Sequence, residues 1–161
     1  MPCGMVANMK TEPAVAILGK ILVIDDNPII QRAVYFQFRD KGFKVLMSGD
    51  ITEAITVVRQ EKPDVILLDI NFPDDFTVGN EKRDGFWAIK WLQKMQEARD
   101  IPVILISSAS AAETEPRALA AGAVAFFPKP LEKDRLLAVI QKLIQDKKPA
   151  APLVPGLRMA S

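Results

Sequence analysis

Val65-Ile66-Leu67-Leu68-Asp69 sets four apolar residues in a row and stops on a carboxylate. Fully buried parallel strands read as such unbroken runs, because helices cover both faces of their sheet. Three further segments repeat the pattern. Ile21-Leu22-Val23-Ile24 ends in Asp25-Asp26, and Val103-Ile104-Leu105-Ile106 ends in Ser107-Ser108. Val124-Ala125-Phe126-Phe127 leads into Pro128-Lys129-Pro130. Open α/β sheets place their sites at the carboxyl ends of the strands. Three carboxylates, a hydroxyl and a lysine are therefore expected to converge on one sheet edge. Such a constellation can hold a divalent cation and receive a phosphoryl group.

Alternation extends the pattern outward. After the first strand, Asn27 can cap a helix with Pro28 at its first position, and Gly42 suits the left-handed conformation that follows its end. Ile30, Val34 and Phe38 line one face of that helix. Phe43 to Met47 reads as a second, edge-like strand. Ser48 or Asp50 can cap a helix that runs to about Glu61 and stops before Pro63. A third helix is expected from Asp84 to Ala98, and a fifth from Leu131 to Asp146 with Leu136, Ile140 and Leu143 facing inward. Pro116 predicts that the fourth helix begins near Thr114–Pro116 rather than earlier. Strands and helices in strict alternation argue a parallel sheet with helices on both faces.

Composition sets outer limits. The 161 residues are long enough for one domain with a real core. A hydrophobic content of 49% with 25% charged residues is ordinary for a globular protein. The net charge of +1 gives no electrostatic case for nucleic acid or an acidic membrane. Cys3 is the only cysteine, which excludes a disulfide within one chain and suits a reducing compartment. Residues 12–24 are apolar but broken by Glu12, Pro13, Gly19 and Lys20, so no membrane span is expected there. A signal-peptide pattern is missing. The chain has no histidine, which excludes a histidine general base and His-ligated zinc. Residues 1–18 and 147–161, rich in proline, alanine and small residues, read as flexible tails around a unit at 19–146.

Within that unit the motifs resemble the receiver domain of two-component response regulators. The matching residues are Asp25-Asp26 after the first strand, Asp69 followed by Ile70-Asn71-Phe72-Pro73, and Asp84-Gly85 at the third helix. Ile101-Pro102 then leads into the strand that ends at Ser107, Ala121-Gly122-Ala123 precedes Phe126, and Lys129-Pro130 closes the last strand. All occur in order and at strand ends, which makes the match specific. The resemblance implies a flavodoxin-like (βα)5 fold, a doubly wound parallel sheet of strand order 2-1-3-4-5. It also implies that the backbone carbonyl of Asn71 ligates a metal, that Phe126 occupies an aromatic switch position, and that Pro130 follows a cis peptide bond.

The chemistry has its own physical reasons. Two like charges at about 4 Å repel by roughly 4 kcal/mol at an effective dielectric near 20. Clustered Asp25, Asp26 and Asp69 therefore call for a counter-ion. A hard divalent cation with oxygen ligands, Mg²⁺ above all, relieves the repulsion and leaves positions open for phosphoryl oxygens. Asp69 would be the phosphoacceptor, with Lys129 and the Ser107 hydroxyl neutralising oxygens of the incoming group. Movement of Ser107 toward the phosphate would vacate space for Phe126 and change a surface built from the last two strands and helices.

Each residue has a plainer alternative. Asp26 could simply cap the next helix, Asp69 could be a turn carboxylate, and Lys129 a solvated lysine. Ser108 competes with Ser107, and the family's spacing from Pro102 favours Ser107. Trp87, Trp91 and Met95 form a helical stripe that suits a partial core better than a ligand box.

Two departures from the family stand out. Pro73 and Asp84 are ten residues apart in intervening sequence, 74–83, where the family usually has only two. This polar insertion, with Asp74, Asp75, Phe76, Lys82 and Arg83, is expected to be a mobile loop that modulates access to Asp69. The second departure is Pro116. After Asp146 too little chain remains to fold alone, so a stand-alone receiver is expected. The resulting expectation is a cytoplasmic signalling protein rather than an enzyme, with at most slow loss of its own phosphate. A histidine kinase or histidine phosphotransfer protein would be the donor. The output would be contact with a downstream protein or a phosphorylation-dependent dimer, without direct nucleic-acid or membrane binding. Two other readings stay open: a receiver fold that binds constitutively without phosphorylation, and a flavodoxin-like cofactor binder. The second is disfavoured because Asp25-Asp26-Asn27-Pro28 lacks a phosphate cradle.

Overall fold

Because successive strand side chains point to opposite faces of a sheet, each apolar run here feeds two cores at once. Leu22, Ile24, Ile66, Leu68 and Leu105 are buried on one face, and Ile21, Val23, Val65, Leu67, Ile104 and Ile106 on the other. The computed structural model describes residues 17–69, 77–78, 81–82 and 85–147. The elements are, in chain order, β1 (Lys20–Ile24), α1 (Pro28–Arg39), β2 (Lys44–Ser48), α2 (Ile51–Glu61) and β3 (Val65–Asp69). Then follow β4 (Thr77–Val78), β5 (Glu81–Lys82), α3 (Gly85–Lys94), β6 (Val103–Ser107), α4 (Ala111–Ala121), β7 (Ala125–Pro128) and α5 (Lys133–Lys147). The main sheet is parallel throughout, in the order β2-β1-β3-β6-β7. Counting only these five strands, that is the expected 2-1-3-4-5. Among the described residues no helix is long and apolar enough to cross a membrane.

Helices cover both faces. Val34 and Phe38 of α1 pack with Leu136, Ile140 and Ile144 of α5 on one side. Ala54 and Val58 of α2, Ile89 and Leu92 of α3, and Ala118 of α4 fill the other. Caps follow the sequence signals. Asn27 Oδ1 accepts from the Ile29 amide at 2.9 Å, and Asp50 Oδ1 from the Glu53 amide at 2.7 Å. Each satisfies an amide that the first helical turn leaves without a partner. Gly42 takes a positive φ of 97°, two residues beyond the αR cap at Asp40. Trp87 and Trp91 stack at 5.7 Å and, with Met95, lie partly buried against the core, as the plainer reading expects.

Four expectations are corrected. Helix α4 begins at Ala111, so Pro116 lies inside it rather than near its start. A proline there removes one ladder hydrogen bond, yet Thr114, Ala118 and Ala121 are buried, and burial of that face outweighs the local penalty. Helix α5 turns Ile144 fully inward, and Leu143 only borders the core. Leu136 and Ile140 face inward as expected, and the row continues at i+8 to Ile144 rather than at i+7 to Leu143. Helix α3 ends at Lys94, where a tight Met95 N–H to Leu92 carbonyl bond of 3.1 Å closes its last turn. Within the insertion, Thr77–Val78 and Glu81–Lys82 pair antiparallel as a short ribbon, so it is not a loop without structure of its own.

Candidate functional site

Strand register brings the chain's polar strand ends to one edge. Ile24 lies beside Leu68, so the next residues, Asp25 and Asp69, fall level with one another. Asp69 lies beside Ile106, the residue before Ser107, and Ser107 beside Pro128, the residue before Lys129. The Lys129 amide donates to the Ser107 carbonyl at 2.9 Å and continues the ladder past the last strand pair.

Side chains converge there. One carboxylate oxygen from each of Asp25, Asp26 and Asp69 lies within 4.8 Å of the others. Asp25 and Asp69 are buried at 3% and 5% exposure, and Asp26 is exposed. Lys129 Nζ stands 3.1 Å from Asp69 Oδ2 and 3.8 Å from Asp25 Oδ2. Lys129 thus pairs with two of the three carboxylates, and the cluster keeps an excess of negative charge. The imbalance registers on Asp25, whose carboxyl is pushed from its ordinary 3.8 to about 6. Burial is the largest cause, and the charges of Asp69 and Asp26 add to it. An Asn27 amide hydrogen bond of 2.9 Å and the Lys129 charge oppose it without cancelling it. A partly buried, all-oxygen, net-negative cluster fits a hard divalent cation such as Mg²⁺.

The remaining expected residues divide into placed and undescribed. Ser107 is fully buried, not exposed on the rim, and its Oγ accepts from the Ala109 amide at 3.0 Å. Ser108 is exposed. Phe126 is 7% exposed and packs in the core under α2, α3 and α4. Pro130 follows a cis peptide bond. Asn71, Asp74, Asp75, Phe76 and Arg83 lie outside the described residues, and of Lys82 only the backbone, in β5, is described.

One residue escaped the sequence reading. Gln31, on the first turn of α1, donates its side-chain amide to the Asp25 carbonyl at 2.6 Å and the Ser48 carbonyl at 2.9 Å. Its signal was faint: a polar side chain four residues after the cap at Asn27, beside the inward row that begins at Ile30.

With this geometry in view, the comparisons with known proteins agree. Residues 21–141 match the family model described as the response regulator receiver domain. Protein PilH of Pseudomonas aeruginosa is 28% identical over 127 residues, covering 79% of this chain and 98% of that protein. PhoB, the phosphate regulon transcriptional regulatory protein of Escherichia coli, is 30% identical over 132 residues, covering 82% of this chain. The chain spans only about half the length of several curated relatives, 54% of PhoB and 51% of YxdJ of Bacillus subtilis. Among solved structures, the chemotaxis protein CheY4 of Vibrio cholerae superposes with a TM-score of 0.67 at 25% identity, covering 80% of this chain and 99% of that one.

Proposed function

The chain belongs to the response regulator receiver domain family, and from that premise we propose that Asp69 accepts a phosphoryl group from a phosphohistidine donor with Mg²⁺ and thereby switches a protein–protein interaction surface. Receivers act in two-component signalling as phosphorylation-controlled modules rather than enzymes, exchanging phosphoryl groups with histidine kinases or phosphotransfer proteins. The observation that carries the reading here is the group of three carboxylates within 4.8 Å, opposed by one lysine. The receiver unit is taken as 19–146, in keeping with elements that run from Lys20 to Lys147.

Asp25, Asp26, Asp69 and the Asn71 carbonyl would hold the cation, which when bound supplies charge neutralisation for phosphoryl oxygens. Asp69 contributes the nucleophilic carboxylate oxygen. As its bond to phosphorus forms, the phosphorus–nitrogen bond of the donor breaks and the imidazole leaves with a proton from solvent. Lys129, already 3.1 Å from Asp69, supplies a compact positive charge beside the reacting atoms. Ser107 would turn from the Ala109 amide toward the new phosphate, and Phe126 would respond in the space beneath α4. The insertion at 74–83 is assigned a role in deciding who reaches Asp69, because it joins the acceptor strand to α3.

The test is incubation with Mg²⁺ and a small acyl phosphate donor, read by intact mass. One phosphoryl group should be gained by wild type, and none in the presence of a chelator or in Asp69→Asn. Labelling that ignores the metal or survives Asp69→Asn would overturn the assignment, and a wild type that gains no phosphoryl group would leave a receiver fold that binds without phosphorylation.

A further inference from the structure

Asp26 is the exposed member of the carboxylate cluster, and among the described residues its carboxylate has no hydrogen-bond or ion-pair partner. Its position is therefore set by its backbone. That backbone begins at the Asp25–Asp26 peptide, where β1 runs out of sheet. The last ladder bond there is Asp25 N–H to the Ser48 carbonyl, 3.1 Å. The Asp25 carbonyl extends past the paired residues of β2 and receives Gln31 Nε2 instead, at 2.6 Å. The second hydrogen of the same amide goes to the Ser48 carbonyl at 2.9 Å. One side chain on α1 thus ties the ends of two parallel strands together. It also fixes the plane of the peptide from which Asp26 hangs.

We infer that Gln31 is a positioning residue for the metal site, holding the Asp25–Asp26 turn so that the Asp26 carboxylate is oriented before a cation arrives. The inference rests on the proposed Mg²⁺ site and adds a residue to it. Gln31 touches no carboxylate; it acts through the main chain, as supporting hydrogen bonds do at metal sites generally. Removing both donors takes the partner from the Asp25 carbonyl, leaves the Ser48 carbonyl with the Asp25 amide alone, and frees the turn. The cation must then bear the cost of ordering it.

Mg²⁺ itself is the probe, titrated calorimetrically into the metal-free protein, with thermal unfolding measured separately without metal. Gln31→Met keeps the length and removes the donors; it should weaken Mg²⁺ binding about tenfold, within the range for supporting partners. Gln37→Met, which removes an amide from the same helix with no hydrogen bond to the turn, should stay within about twofold, less than the loss of one net hydrogen bond. Gln31→Asn keeps the donors on a stem too short to reach both carbonyls and should fall between them, which covers the case that Gln31→Met folds poorly. A purely structural role would lower the unfolding temperature and leave the affinity of the folded variants untouched, and that result overturns the inference. Equal weakening by Gln37→Met overturns it as well. If wild type takes up no Mg²⁺, the metal-site reading itself fails, and this inference with it.

Discussion

At Asp25 the cost of the site is concentrated in one titration. Its carboxyl is raised to about 6 by burial and by the neighbouring Asp69 and Asp26 charges. Between the unfolded value of 3.8 and about 6 the folded protein holds a proton that the unfolded chain has lost. Stability of the metal-free protein should therefore fall as pH rises through that window, with an effect on the order of 3 kcal/mol. Asp25→Asn keeps an acceptor for the Asn27 amide and removes the charge. Its stability advantage over wild type should grow from about pH 4 to pH 6 and then level off. A constant difference across the window, measured by thermal unfolding, would contradict the assignment. The residues of this site were legible because each ends an apolar run, which places it at the sheet edge whatever the helices do. Gln31 was not, since a lone glutamine on a helix carries no positional signal until the strand ends beside it are known. The burial of Ser107 was also hidden, because a serine at a strand end reads equally as a turn hydroxyl.

Helix α4 shows where local rules lose to packing. Pro116 removes the hydrogen bond that its amide would have given to the Ala112 carbonyl, inside a helix whose Thr114, Ala118 and Ala121 are buried. Restoring it with Pro116→Ala should stabilise the protein by about 1–3 kcal/mol, the proline penalty less its entropic benefit in the unfolded chain. Urea unfolding should show a higher midpoint at unchanged slope. A lower midpoint would mean that the ring itself packs favourably. The sequence located this helix but started it late, because proline is a strong local signal and the burial that overrides it is tertiary. The α5 phase error has a related origin: Leu143 and Ile144 are equally apolar, and only contact with the sheet selects Ile144. The ribbon of β4 and β5 was unreadable for the opposite reason. Its pairs, Thr77 with Lys82 and Val78 with Glu81, are too few to impose a pattern of two.

Across the whole molecule, the sheet separates two cores whose helices have different relations to the site. Phe126 lies in the core shared by α2, α3 and α4, and Phe127, one residue on, faces α1 and α5. Helix α3 is tied to the α4–β7 turn by Gln93 Nε2 donating to the Gly122 carbonyl at 3.1 Å, and to α4 by Arg117 over the Phe86 ring at 4.2 Å. A change at Ser107 should therefore be felt through β6, α4 and β7 more than through α1. Beryllofluoride, a phosphoryl mimic, should alter amide hydrogen exchange in that region of wild type, and Lys129→Ala should bind the mimic with little of the change. An equal response in both would remove Lys129 from the switch. That switching presupposes that the phosphoryl group sits on Asp69. Reduction of the phosphorylated protein with borohydride converts an aspartyl phosphate to homoserine, which peptide mass spectrometry can locate. The predicted result is homoserine at position 69 alone, formed only when Mg²⁺ was present during phosphorylation. Homoserine at position 25 or 26, or phosphate retained on a serine after reduction, would contradict it.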